Sequence, residues 1–214
     1  MTVRLLLVRH GESIWNIVGR YQGQMDVPLS AGGRVQAERA ARRLASERID
    51  AIYASDLSRA RDTAEIIGQR LGMPVMGVSG LREIHLGVWQ GLSYEVVRRR
   101  HFRERDPTPC YPVDVPPPGG ESLRDVQMRV TVAVEEIVRR HPYGTLVIVT
   151  HGACLKALFC RLLGVDLSDY GRFRFDPGSI SEGIWKPRRG VVLSVNDTSH
   201  LLEAMVGRCV GVQT

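Results

Sequence analysis

Two stretches of this chain end alike, and few folds accommodate such a pair. Leu5–Ser13 reads LLLVRHGES and Leu146–Cys154 reads LVIVTHGAC. Each is a short apolar run that breaks into His-Gly and then opens toward a helix. Runs of this length, rich in Val, Leu and Ile, belong to strands covered on both faces, as in a parallel sheet between helices. In such sheets ligands bind beyond the carboxyl ends of the strands. If the two strands are neighbours, His10 and His151 face one another across one pocket, with Arg9 as a fixed cation beside the first. Two imidazoles and a guanidinium at helix N-termini make an anion site, and phosphate is the anion that suits it best.

The rest of the chain alternates in the manner of an α/β protein. Strand one covers Val3–Val8, followed by a polar loop over Gly19–Leu29. Ser30 caps a helix over Ala31–Glu47, and Ile49–Ala54 is a second strand. Ser55 opens another strand-to-helix turn, and the helix over Leu57–Leu71 is stopped by Gly72 and Pro74. Pro74–Val78 is a third short strand. Ser122 opens a long amphipathic helix to Arg140, with Val126, Val130, Val134, Ile137 and Val138 on one side. A strand at Thr145–Val149, a helix at Ala153–Leu163 and two or three strands between Arg172 and Val195 complete the pattern. Gly80–Glu121 departs from it: a basic, helix-like piece over Tyr94–Arg105 precedes Pro107–Gly120, which contains six prolines. This reads as an insertion, a lid over the strand ends at about residues 87–120, within a single domain spanning 1–214.

Composition narrows the partners. No apolar stretch approaches the ~18 residues of a membrane span, and the chain enters its first strand without a charged leader, so a cytoplasmic location is expected. The four cysteines (Cys110, Cys154, Cys160, Cys209) form no C-x-x-C pair and read as free thiols rather than a disulfide. The net charge of +6 comes almost wholly from arginine, which suits bidentate contact with phosphate. The arginines are scattered, with one run at Arg98–Arg100 and no aromatic–basic stripe. That favours an acidic small substrate over nucleic acid. The apolar segment Ala204–Thr214 suits either an edge strand or pairing across a homodimer.

Candidate chemistry gathers at the strand ends. His10 can attack phosphorus through one ring nitrogen if the other donates to a backbone carbonyl and so fixes the tautomer. Gly11 lets backbone approach a bound group. Ser55–Ala64 (SDLSRARDTA) places Arg59 in the first turn of a helix at the same sheet edge, where it can meet the equatorial oxygens of a transferring phosphoryl group. Arg61 projects from a different part of the helical turn and serves structure or the rim. Glu83, just after the third strand, is the candidate acid, set against the plainer alternative of a surface pair with Arg82 or Arg98. Asn16 can donate to phosphate. Gln22 and Gly23 can present an amide and a backbone N–H. Trp15 reads as packing and Ser122 as a helix start. His85, His101, His141 and His200 share no pattern. A metal site of His10, Glu12 and His151 lacks the spacing that would make it specific; no metal and no cofactor are expected.

RHGES at Arg9–Ser13, RYQG at Arg20–Gly23, DVPLS at Asp26–Ser30, SDLSRARDTA at Ser55–Ala64, LRE at Leu81–Glu83, GGES at Gly119–Ser122, THGA at Thr150–Ala153 and VNDTSHL at Val195–Leu201 together resemble, in family order, the histidine phosphatase superfamily in its phosphoglycerate mutase-like branch. The resemblance implies a three-layer α/β/α sandwich with a mostly parallel central sheet, helices on both faces and a lid insertion. It implies a covalent phosphohistidine enzyme: His10 as nucleophile, Glu83 as proton donor, Arg9, Arg59 and His151 as the phosphate cradle. Asn16, Gln22, Gly23 and Gly152 match family positions that line the substrate site.

Within the family, mutases carry a longer insertion with a lysine and an adjacent arginine pair. Gly91–Gly120 has no lysine and is short, and Arg98–Arg100 does not align with that pattern. Gln22-Gly23 stands where cycling mutases have Thr-Gly. The expectation is therefore a metal-independent phosphomonoesterase of phosphoserine, alpha-ribazole or broad-specificity type, acting on a small phosphorylated metabolite. Phosphoglycerate mutase and a non-catalytic phospho-ligand binding domain are the alternatives. Trp89, Tyr94, Phe102 and Arg98–Arg100 either contact the leaving group or pack the lid.

Overall fold

β1 (Thr2–Arg9) and β4 (Tyr143–Thr150) are parallel neighbours, paired from Thr2 opposite Tyr143 to Arg9 opposite Thr150. This register brings the two His-Gly ends to one level, and the His10 amide donates to the Thr150 carbonyl at 3.0 Å. The computed structural model describes residues 2–101, 113–186 and 190–202. The remaining elements are α1 (Ile14–Ile17), α2 (Ala31–Leu44), β2 (Ala51–Ala54), α3 (Ser58–Leu71), β3 (Val75–Gly77), α4 (Tyr94–His101), α5 (Leu123–Arg140), α6 (Gly152–Leu163), β5 (Ile180–Trp185) and β6 (Val191–Asp197), with short 3₁₀ turns between them. The strand order is β3-β2-β4-β1-β5-β6. β1 to β4 run parallel, and β5 and β6 add an antiparallel edge.

Side chains of a strand point alternately to the two faces, and both faces of β1 and β4 are buried. Val3, Leu5 and Leu7, with Leu146 and Ile148, pack under α5 and α6 against Val130, Val134, Leu155 and Phe159. Leu6 and Val8, with Val147 and Val149, pack under α2 and α3 against Ala40, Leu44, Ala64 and Ile67. The result is the expected three-layer sandwich with a mostly parallel sheet. Each fully buried Leu, Ile or Val contributes about 1.5–3 kcal/mol, so these two strands form the most strongly anchored part of the molecule. Their ends can therefore hold side chains in fixed positions.

The helix ends follow the sequence signals. Ser30 Oγ accepts from the Gly33 amide at 2.9 Å. Ser122 and Asp125 form a reciprocal capping box. Gly72 ends α3 in the left-handed conformation at φ 67°, which a residue with a Cβ enters only under strain.

Two boundaries differ from expectation. α2 stops at Leu44, short of Glu47, whose carboxylate is taken by Arg4 of β1 at 2.7 Å and by Arg43 at 3.0 Å. The motif after β1 opens into a four-residue helix only, α1, closed by Ser13 and Asn16 capping one another. Of the two or three strands expected between Arg172 and Val195, two form, β5 and β6, and residues 173–179 ahead of β5 are loop. There Asp176-Pro177-Gly178 turns the chain so that the Gly178 amide donates to the carbonyls of Arg9 and His10, both at 3.1 Å.

In the insertion, the helix expected over Tyr94–Arg105 is described as α4 to His101; its continuation and Phe102 lie outside the described residues, as do Cys110, Cys209 and Ala204–Thr214. Trp89 is buried with Leu86 and Val97, so it packs the insertion. Cys154 and Cys160 are free buried thiols. No helix among the described residues is long and apolar enough to cross a membrane.

Candidate active site

β1 ends where backbone must pass close to backbone. A Cβ on Gly11 would collide with the carbonyl of Gly33 at the start of α2, so only glycine fits there. This turn sets the His10 ring with Nδ1 2.6 Å from the Gly11 carbonyl. A carbonyl only accepts, so Nδ1 carries the proton and Nε2 keeps its lone pair. His10 is 2% exposed. Burial, then the charges of Arg59 and Arg9, hold its pKa well below the ordinary 6.5. The imidazole is thus neutral at physiological pH, the form that can act as a nucleophile.

The second His-Gly places the His151 ring with its centroid 5.0 Å from that of His10. His151 is wholly buried behind the cleft wall. Its Nε2 lies 2.8 Å from Ser55 Oγ. The Leu57 amide also donates to that Oγ at 3.3 Å, and His151 Nδ1 is buried without a partner. Burial first, then Arg59, His10 and Arg9, hold His151 neutral as well.

Two guanidinium groups supply the charge. Arg59, in the first turn of α3, is 1% exposed. It donates to the carbonyls of Gly23 at 2.7 Å and Met25 at 2.9 Å. Burial pushes its pKa down to about 10, which still leaves it protonated at neutral pH. Arg9 donates to the Phe175 carbonyl at 2.6 Å, and burial lowers its pKa too. Arg9 Nε, Arg59 Nε and His151 Nδ1 are buried with no hydrogen-bond partner. Buried polar nitrogens are costly unless paired, and the two arginines that carry two of them line one cleft beside His10, which suits an anion with several oxygens.

Glu83 follows a 3₁₀ turn after β3 and reaches the N-terminus of α6. Its Oε1 accepts from the amides of Ile84 at 3.0 Å and Ala153 at 3.2 Å. It does not join Arg82, which forms a bidentate pair with Asp56 at 2.6 and 2.7 Å. Gly152 opens the space between cation and acid: a Cβ there would sit 3.8 Å from Arg9 Nε and 3.9 Å from Glu83 Oε2.

These groups line a cleft of about 650 Å³ that includes Arg9, His10, Asn16, Gln22, Gly23, Arg59, Glu83 and Gly152. Every expected site residue except His151 is on its wall. Asn16 also caps α1, its Oδ1 accepting from the Ser13 amide at 3.0 Å. Gln22 is buried with Oε1 2.8 Å from Ser13 Oγ. Gly23 adopts φ 54°, and a Cβ there would strike the Gln90 side chain.

Other candidates sit elsewhere. Arg98–Arg100 are exposed on α4 and do not line the cleft, whereas Tyr94 does. Arg61 faces Asp62 and Glu65 at 3.6 and 3.7 Å. Glu12 accepts from Ser30 Oγ at 2.7 Å and is not on the cleft wall. Among the described residues, no group of three His, Cys, Asp or Glu side chains is placed to hold a metal.

The sequence reading missed the outer wall: Tyr21, Lys156, Tyr170, Phe173, Arg174 and Phe175. Part of it lies at residues 173–175, ahead of β5. The Asp-Pro-Gly turn signal at 176–178 marks that segment as a loop beside the strand ends. Lys156 could have been found from the helix period, since it lies one turn beyond Gly152 on the same face of α6.

Comparison with known proteins agrees with this geometry. The sequence is 41% identical over 204 residues to phosphoserine phosphatase 1 of Hydrogenobacter thermophilus, covering 95% of this chain and 97% of that one. It is 37% identical over 205 residues to the probable phosphoglycerate mutase GpmB of Escherichia coli, covering 93% and 95%. The structure superposes with a TM-score of 0.84 at 33% identity on a mycobacterial glucosyl-3-phosphoglycerate phosphatase solved with VO3, over 91% of this chain and 99% of that one. Residues 5–198 match the profile of the histidine phosphatase superfamily, branch 1. With the paired His-Gly strand ends and the cradle around them, this chain belongs to the histidine phosphatase superfamily.

Proposed function

We propose that this chain is a phosphoric monoester hydrolase that cleaves small phosphorylated metabolites through a phosphohistidine on His10. The observation that carries the reading is the neutral His10 ring, its proton held on Nδ1 by Gly11, sharing one cleft with the guanidinium groups of Arg9 and Arg59. In the first step His10 Nε2 attacks phosphorus in line, forming a P–N bond as the ester P–O bond breaks. Arg9, Arg59 and His151 stabilise the charge on the equatorial oxygens. Glu83, protonated, gives its proton to the leaving alkoxide. In the second step the Glu83 carboxylate takes a proton from water, the hydroxide attacks phosphorus, the P–N bond breaks, and inorganic phosphate leaves. Asn16, Gln22 and Gly23 orient the phosphoryl group. The positive charge comes from arginine, so the reading includes metal independence.

The relatives named above, a phosphoserine phosphatase and a glucosyl-3-phosphoglycerate phosphatase, support a phosphomonoester substrate. The relative named a probable phosphoglycerate mutase keeps phosphoryl transfer as the second reading. Rapid-quench labelling with a phosphoserine-type substrate tests the proposal. An acid-labile phosphoenzyme that maps to His10, with phosphate release undiminished in EDTA, is expected. Loss of turnover in EDTA, restored by a divalent ion, removes metal independence. Interconversion of phosphoglycerates outpacing phosphate release replaces hydrolysis by transfer.

A further inference from the structure

Glu83 sits on a segment with no regular secondary structure, yet that segment is held by side chains at four successive carbonyls. Thr150 Oγ1 donates to the Leu81 carbonyl at 2.8 Å. One residue, Arg129 of α5, takes the other three. Its Nη1 donates to Gly80 at 3.0 Å and to Arg82 at 2.6 Å, and its Nη2 donates to Glu83 at 3.0 Å. The remaining N–H groups go to Glu121, from Nε at 2.8 Å and Nη2 at 2.9 Å. All five donors of the guanidinium are therefore used. Glu121 in turn accepts from the His85 amide at 2.8 Å, and its own amide donates back to the His85 carbonyl at 2.8 Å. Arg129 does not line the cleft that holds His10. It reaches the segment from the opposite side, where Gly80 packs so tightly on α5 that a Cβ would lie 2.8 Å from that of Ala133.

We infer that Arg129, locked by Glu121, is a positioning residue that fixes the reach of Glu83 toward the leaving oxygen. The inference rests on Glu83 being the acid of the proposed reaction. A planar five-donor fork can grip three carbonyls and a carboxylate at once; a lysine ammonium has three donors at one point and cannot. Without the fork, the Gly80 carbonyl loses its side-chain donor and those of Arg82 and Glu83 keep only Cys154 Sγ at 2.9 Å and Gln24 Nε2 at 3.0 Å, while His10, Arg9 and Arg59 keep their partners. Proton delivery then suffers and phosphate binding does not. A displacement of about 1 Å at a reacting group can cost on the order of 10²-fold in rate.

The readout is leaving-group dependence. An alkyl ester such as phosphoserine needs its leaving oxygen protonated; 2,4-dinitrophenyl phosphate does not. For Arg129→Met, kcat/KM on phosphoserine should fall roughly 10–100-fold, while kcat/KM on the dinitrophenyl ester stays within about threefold. Because Glu83 also activates water, kcat on the aryl ester should drop and a burst of dinitrophenolate should appear. Arg129→Lys, which keeps the charge beside Glu121, should show the same pattern at smaller amplitude and guards against a misfolded Met variant. Glu83→Gln is run in parallel. If Glu83→Gln discriminates between the esters and both Arg129 variants lose both substrates equally, or lose neither, the inference is wrong and the acid assignment stands. If Glu83→Gln itself fails to discriminate, the acid assignment falls and the inference with it.

Discussion

The ends of β1 and β4 carry the same three-part signal, an apolar run, a histidine and a glycine, and the fold uses them in opposite ways. At β1 the histidine turns Nδ1 onto the neighbouring Gly11 carbonyl and leaves Nε2 open. At β4 the histidine sets Nε2 against Ser55, a residue 96 positions away, and leaves Nδ1 open. The glycines differ as well. Gly11 is required because α2 presses on the turn, whereas Gly152 has room around it and borders the cleft. A local sequence resemblance therefore fixes where two side chains stand, and tertiary partners decide what each can do.

The largest expected effect separates the two rings. His10→Asn removes the nucleophile and should lower kcat by about four orders of magnitude or more, with no phosphoenzyme trapped. His151→Asn removes one donor from the cradle and should cost about 10²–10³ in kcat while a phosphoenzyme still forms. Rapid-quench labelling alongside steady-state rates makes the comparison. Equal losses, or a phosphoenzyme that survives in the His10 variant, would show that the rings share a role or have exchanged roles.

A smaller effect separates the two glycines, and here the variables themselves should differ. Gly11→Ala drives a methyl group into the Gly33 carbonyl. Overpacking of this kind costs about 1–3 kcal/mol, a fall in Tm of roughly 2–12 °C for a chain of this size. Gly152→Ala meets nothing closer than the Arg9 and Glu83 side chains, at 3.8 and 3.9 Å. It should leave Tm within roughly 2 °C and raise KM for the phosphomonoester several-fold, because the methyl group occupies space between the cation and the acid. Thermal melts paired with KM values test this. A Gly152→Ala enzyme that melts early and binds normally would reverse the assignment.

How much of this was legible in the sequence depends on how local the cause is. The strands, the helix caps and the placement of Arg59 and Glu83 follow from periodicity, capping residues and short motifs, which act within a few residues; the neighbourhood of β1 and β4 was a condition that only the pairing itself meets. The polarity of His10 was legible for the same reason, since its partner is the next residue. That of His151 was not, since Ser55 reaches it only once β2 and β4 pair. The grip of Arg129 on the Glu83 segment, 46 to 49 residues away, was hidden in the same way. The aromatic outer wall at 173–175 carries no local signal of its own beyond the adjacent turn at Asp176-Pro177-Gly178, and it reaches the cleft only through tertiary packing.

The smallest effect unites the two rings. Burial, ahead of the neighbouring cations, depresses the pKa of both histidines below 6.5 in the native state. In the unfolded chain each takes up a proton as pH falls through its ordinary value of about 6.5. The native state resists that proton. Acid therefore favours unfolding: the contribution of each ring is complete above pH 6.5 and is lost progressively as pH falls toward the depressed folded value. Denaturation midpoints measured from pH 7.5 to 5 should decline for the wild-type protein. The decline should be shallower in His10→Asn and shallower by a similar amount in His151→Asn, despite the large gap between their activities. Histidines that differ in chemistry but share one burial should be alike in this measurement alone. If one variant keeps the full wild-type acid slope, that ring is not held neutral by its surroundings, and the account of its orientation must change with it.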